Sequence, residues 1–161
     1  MSAQLHARLR EHRDIKGFRN MIDQIPFMNL LSFTNDLPYK DFISSSVKEM
    51  MQIESQALYS IRKTSQNGEE ISEDTVLSWL TTCLRQIGIG DRFYLHLQDF
   101  GTAPFADIQV IVSIEEWLPM LWRSLMSQEF LLIPYGKAAA LYFFSEEHAY
   151  EIHFREEAAS K

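Results

Sequence analysis

The last third of the chain constrains the fold more than any other part. Between Phe130 and Glu157, two apolar runs flank a turn at 134–137, and a second turn at 145–147 leads into a strictly alternating stretch. Alternation with a period of two places successive side chains on opposite faces of a strand, and short turns between such runs are typical of hairpins. The pattern predicts a three-stranded antiparallel meander with one apolar and one acidic face. The side chains expected to hold it are Leu132, Ala139, Leu141, Phe143, Ile152 and Phe154.

Upstream of the meander, the hydrophobic period is that of helices. Apolar residues three and four apart predict a first helix over 2–25 that ends at Pro26, and a second over 42–63. A third is predicted over 72–88, because a serine can cap its start and a glycine can follow its end. The segment 27–33 fits either a strand or a helical turn.

Beyond the third helix the period changes to two, which predicts strands near 93–98 and 105–112. Ser113 has the capping-box spelling of a helix start, so a fourth helix either opens there and kinks at Pro119, or begins at Pro119 after a short turn. The predicted order is ααα-ββ-α-βββ, an α+β fold in which three N-terminal helices pack on one face of a five-stranded, mostly antiparallel sheet. We expect a single domain over 1–161 with a frayed tail at 155–161.

Charge is distributed unevenly along the chain. Of its 161 residues, 46% are hydrophobic, and the net charge is −7. Residues 1–25 carry five Lys and Arg against three Asp and Glu, residues 26–66 balance, and residues 67–161 carry six against fifteen, a net of −9. Such a surface repels phosphate backbones and attracts basic proteins, although negative charge also serves solubility alone.

Cysteine content and hydropathy favour a cytoplasmic protein. Cys83 is the one cysteine, so an internal disulfide is excluded. The first 18 residues lack the apolar run of a signal peptide. The longest apolar stretches, 131–133 and 138–144, are far too short to span a bilayer. The basic side of the first helix is expected to be solvated, so we predict neither membrane nor nucleic-acid binding.

Histidine is the residue type that most suggests catalysis here. Glu151 and His153 share one face of the last predicted strand, so His153 is a candidate general base oriented by Glu151, with His96 as a third member. His148 lies on the opposite face, because its spacing from His153 is odd. No zinc or other metal site, phosphate-binding loop or cofactor motif is spelled out, and Cys83 sits on an apolar helix stripe where cysteine is a core residue. The sequence predicts no cofactor.

A small acidic α+β chain without a catalytic constellation is similar, in composition and size, to many bacterial immunity proteins, which neutralise a basic toxin, often a nuclease. The resemblance implies a non-enzymatic inhibitor that binds a basic protein, and no residue roles carry over from it. The charge pattern places the expected contact surface among acidic residues and one tyrosine. These are Glu69, Glu70, Asp74, Glu146, Glu147, Tyr150 and Glu151.

Two alternatives remain open at the level of sequence. One is an enzyme whose site gathers His96, Glu151 and His153. The other is a structural or regulatory module that forms homodimers through sheet edges or an aromatic helix.

Overall fold

The computed structural model describes residues 2–158 as an α+β fold. The described chain forms four α-helices and one seven-stranded antiparallel sheet. The helices are α1 (Ala3–Asp23), α2 (Lys40–Met50), α3 (Glu73–Ile87) and α4 (Ile114–Ser124). The strands are β1 (Met28–Thr34), β2 (Tyr59–Arg62), β3 (Arg92–Leu97), β4 (Phe105–Val110), β5 (Phe130–Pro134), β6 (Ala139–Ser145) and β7 (Ala149–Glu156).

The strands lie in the order β1-β4-β3-β5-β6-β7-β2. The meander β5-β6-β7 forms as predicted, and β3 and β4 are also strands as predicted. The two outer strands come from segments that the sequence left ambiguous or assigned to a helix. Strands from both ends of the chain thereby join in one sheet.

The prediction of a single helix over 42–63 is wrong. The helix α2 ends at Met50, and Tyr59–Arg62 instead forms β2, which pairs with β7 from Tyr59↔Ile152 to Arg62↔Ala149. An unpaired edge of β7 would leave backbone groups without partners, and pairing with β2 satisfies them. The segment 27–33, which fitted either a strand or a helical turn, lies largely in β1, which pairs with β4. The sheet therefore has seven strands rather than five, and the order of elements changes accordingly.

Helices cover both faces of the sheet, not one as predicted. Phe18, Leu80 and Leu118 from α1, α3 and α4 pack on what we call the core face, which carries Phe93 and Leu132. Helix α2 packs on the opposite face, here the groove face, through a separate apolar cluster. That cluster contains Leu37, Ile43, Met50, Tyr94, Leu131, Ile133 and Ala140. All five residues of β5 are buried, and a strand that is apolar on both sides needs cover on both sides.

The predicted caps form at both ends of α3, whereas the Ser113 side chain makes no capping hydrogen bond at the start of α4. The Ser72 side chain accepts a hydrogen bond from the Thr75 backbone N–H at 3.2 Å, and Gly88 ends α3 at φ 87°, a left-handed conformation that suits glycine. Helix α4 begins directly after Ser113 and continues through Pro119. A start at Pro119, one of the two options the sequence allowed, does not occur.

The end of the meander is more ordered than predicted. Strand β7 runs through Glu156, which pairs with Ala139, and the Glu157 backbone N–H donates to the Ala138 carbonyl at 2.8 Å. The frayed tail expected from residue 155 is therefore wrong for 155–157, and residues 159–161 lie outside the described residues. Of the six side chains expected to hold the meander, five are buried and Phe154 is partly buried against the same core.

Candidate partner-binding groove

Strand register aligns side chains in rows across the groove face. Tyr94 pairs with Ile133, and α2 covers the row to which they belong. Two residues further along each strand lies a row that α2 leaves partly open, because the helix ends at Met50. This open row runs across β3, β5, β6 and β7 through His96, Leu131, Tyr142 and His153. The next row contains Glu129, Phe144 and Glu151.

These two rows form the floor of one groove with an apolar and an acidic part. The apolar part is a pocket of about 250 Å³, and the acidic part is a wider groove of about 740 Å³. Met51, Glu129 and Tyr142 line both parts, so the two are continuous. The apolar pocket is also lined by Val47, His96, Gln98, Phe105, Phe130 and Leu131.

Four carboxylates dominate the acidic part. Glu129, Glu146, Glu147 and Glu151 line it, and within residues 2–158 its lining includes no lysine or arginine. Burial raises the pKa of Glu129, and repulsion from Glu146 and Asp99 raises that pKa further. Among the described residues that line the groove, no lysine or arginine offsets the negative charge of these carboxylates.

Hydrogen bonds link three side chains in the lining of the acidic part. Ser55 Oγ lies 2.8 Å from His153 Nδ1, and His153 Nε2 lies 3.0 Å from Glu151 Oε1. An ionised carboxylate only accepts, so Nε2–H donates to Glu151, and in the neutral imidazole with this tautomer the Ser55 hydroxyl donates to Nδ1. The His153 side chain is 2% exposed and stacks on Phe144 with ring centroids 4.8 Å apart.

The hydrogen bond from Ser55 to His153 holds the loop 51–58, which we call the lip of the groove. Residues 51–58 connect α2 to β2, and Ser55 ties their middle to β7. Met51 is 65% exposed and Ile53 is fully exposed, and both line the acidic part. Arg155 and Glu49 form an ion pair at 3.5 Å that joins the end of α2 to β7. Apolar side chains are thus held in solvent beside the carboxylates.

The structure divides the predicted contact residues between two surfaces. Glu146, Glu147 and Glu151 line the groove. Tyr150 points to the opposite face, because it is adjacent to Glu151 on a strand. Its ring packs on Trp122 and Phe143 at 5.5 and 5.9 Å, and the Lys63 ammonium lies 4.8 Å from it.

Three further predicted residues also lie outside the groove lining. Glu70 pairs with Thr64 in an isolated antiparallel bridge and does not line the acidic part. Glu69 lies in the turn where its carbonyl accepts from the Ser65 N–H at 2.8 Å, and Asp74 lies in the first turn of α3. The seven predicted residues therefore do not form one surface.

The three-residue site postulated for an enzyme is not assembled. Glu151 and His153 are hydrogen-bonded as the sequence suggested, but His96 lies three strands away, roughly 14 Å at typical strand spacing. His96 Nε2 instead lies 3.2 Å from the Gly101 carbonyl. The group that does join His153 is Ser55.

Among the polar residues of the groove, sequence reasoning did not single out Ser55 or Glu129. Ser55 fell inside the predicted helix 42–63, and Glu129 lies between α4 and β5, where no motif marks it. The available signal was spacing. Glu129 lies two residues before Leu131, and residues two apart in an extended segment share a face of the sheet.

Within the described part of the chain, no helix has the length and hydropathy needed to cross a membrane. Among those same residues, no three His, Cys, Asp or Glu side chains lie close enough together to hold a metal ion. Comparison with known proteins finds no matching family model, curated protein or solved structure.

Proposed function

We propose that this protein is a non-enzymatic binding module that captures a basic segment of a partner protein in the groove. The observation that carries the proposal is the acidic part of the groove, with four carboxylates, a lining that includes no lysine or arginine among residues 2–158, and an exposed apolar lip. Charge complementarity accelerates encounter and selects partners, while apolar side chains supply contact area. The groove combines both.

The most concrete form of the proposal is an inhibitor of a basic toxin such as a nuclease. A nuclease binds phosphates through lysine and arginine side chains. A row of carboxylates competes for those same cations, and the net charge of −7 steers them toward it. This supports an immunity or inhibitor protein over a module that merely requires solubility.

A displayed library of random peptides tests the proposal without a purified partner. Selection on the native protein is expected to enrich arginine and lysine together with at least one large apolar residue. The same selection on the triple variant Glu146→Gln, Glu147→Gln, Glu151→Gln should lose that enrichment, because the variant removes three of the four groove carboxylates.

A matched control keeps the change in net charge and moves its position. The variant Glu69→Gln, Glu70→Gln, Asp74→Asn also removes three charges, but outside the groove lining. We expect its selected peptides to match those of the native protein. Peptides without basic enrichment, or equal loss in both variants, would refute binding in the groove.

A second candidate function is acyl transfer by Ser55, because Ser55, His153 and Glu151 form a nucleophile–base–carboxylate chain at 2.8 and 3.0 Å. We rank it lower because the tetrahedral intermediate would carry an oxyanion into a groove lined by four carboxylates, where negative charge is destabilised. Covalent labelling by a fluorophosphonate, lost in Ser55→Ala, would establish it. A known serine hydrolase at the same protein concentration is the positive control. Labelling of that control without labelling of this protein would exclude acyl transfer by Ser55.

A further inference from the structure

Resting on the proposed function, we infer that the apolar pocket binds one large apolar side chain of the basic partner, which we call the anchor. An adjacent lysine or arginine of that partner pairs with Glu129. The pocket and the acidic groove share Met51, Glu129 and Tyr142, so one short segment can occupy both.

The dimensions of the pocket suit a single side chain. Its volume of about 250 Å³ lies below the range of about 300–1,000 Å³ typical of sites for drug-sized ligands. Leu131 and Tyr142, paired across β5 and β6, form the floor, and Val47 and Met51 come from the end of α2. Apolar groups on several sides give an inserted side chain the desolvated contact that defines a binding hot spot.

Glu129 determines which side chains can accompany the anchor. Its carboxylate is partly buried at the junction of the two parts and, within residues 2–158, has no ion-pair partner. A partly desolvated charge interacts more strongly with a counter-charge than an exposed one. The raised pKa of Glu129 is consistent with a carboxylate that lacks such a counter-charge.

Register gives the spacing of a second cation in the partner. From the pocket floor at Leu131 and Tyr142 to His153, the open row crosses one to two strand spacings, roughly 5–10 Å. An extended chain covers that distance in about two or three residues. A basic residue about two or three positions from the anchor would therefore lie beside Glu151, which is hydrogen-bonded to His153.

Two peptides of equal charge test the anchor. One has phenylalanine with arginine at the first and third positions after it, in a glycine–serine background, and the other has alanine in place of phenylalanine. The native protein is expected to bind the phenylalanine peptide at least about tenfold more tightly in titration calorimetry, the ratio of a hot-spot side chain. Both peptides carry the same charge, so the acidic part contributes equally to their binding. The ratio of the two dissociation constants therefore measures the contribution of the apolar pocket.

Variants of the pocket wall then locate the effect. Val47→Trp fills the pocket and Met51→Ala removes part of its wall, and in each the ratio should fall to within about threefold. Met126→Ala is the matched control, since Met126 is 93% exposed and lies outside the lining of both parts. A ratio near one in the native protein, or a ratio that survives in both wall variants, would overturn the inference.

A small cation separates failure of the anchor from failure of the proposed function. If neither peptide binds, capture of basic segments is refuted, and phenethylammonium is titrated against the protein by NMR. Shifts centred on Leu131 and Tyr142 that vanish in Val47→Trp would retain the pocket as a site for an apolar cation. Without them, the anchor is refuted as well.

Discussion

Glu129 is a carboxylate held where its charge is unfavourable. Burial and the neighbouring charges of Glu146 and Asp99 raise its pKa, so the folded protein binds a proton at Glu129 more readily than the unfolded chain does. By linkage, ionisation of Glu129 opposes folding, and this penalty is present above the raised pKa and lost as pH falls below the usual range of a glutamate. Residues that carry such a cost are often kept for function.

Replacing this carboxylate should stabilise the protein and weaken binding. We expect Glu129→Gln to raise the midpoint of thermal unfolding at pH 7, and the gain to disappear at a pH below the usual range of a glutamate. The same variant should bind arginine-containing peptides less tightly. Glu11→Gln, at an exposed position of α1, is the control, and a lower midpoint for Glu129→Gln at pH 7 would contradict the electrostatic account.

The Cys83 thiol should be inert in the folded state. Burial raises its pKa to about 11, and the side chain is almost fully enclosed on the core-facing stripe of α3. At pH 8 we expect Ellman's reagent to leave the native protein unmodified and to react with one thiol per chain after unfolding in urea. Rapid reaction without denaturant would place Cys83 at the surface.

At the scale of elements, the lip loop depends on one buried histidine. His153→Ala removes the acceptor of Ser55, the donor to Glu151 and the ring stacked on Phe144. We expect it to lower the free energy of unfolding by about 2–3 kcal/mol, and Ser55→Ala by about 1 kcal/mol. Urea denaturation measures both values.

Two comparisons make this prediction specific. Because the two residues share one hydrogen bond, the double variant should cost less than the sum of the single variants. Ser44→Ala, at an exposed position of α2, should change the free energy by less than about 0.5 kcal/mol. Additive losses for Ser55 and His153 would show that the loop is held by other contacts.

Elements with strong local signals were predictable from the sequence, and elements defined by pairing were not. Helix α3 has a capping serine, an apolar stripe and a terminal glycine, and it forms as predicted. The segment 51–63 continues the helical spacing of α2, yet Tyr59–Arg62 pairs with β7. Local periodicity does not include the hydrogen bonds that a sheet edge offers, so tertiary pairing overrode it.

At the scale of the whole molecule, the set predicted from the charge pattern includes three of the four carboxylates that line the groove. Glu146, Glu147 and Glu151 line the groove, whereas Glu69, Glu70, Asp74 and Tyr150 lie elsewhere, because adjacent positions on β7 face opposite sides of the sheet. The apolar pocket was not predictable, since it depends on where α2 ends over the register of β3, β5 and β6. The net charge predicts a basic partner, whereas the location of a binding groove depends on the strand register and on where α2 ends.

An NMR titration of the native protein with an arginine-rich peptide tests the central claim most directly. We predict amide shifts that cluster at Leu131, Tyr142 and Glu151, saturate with peptide concentration, and are lost in the triple variant Glu146→Gln, Glu147→Gln, Glu151→Gln. Shifts that cluster instead around Glu69, Glu70 and Asp74, or the absence of saturable shifts, would contradict capture of a basic segment in the groove.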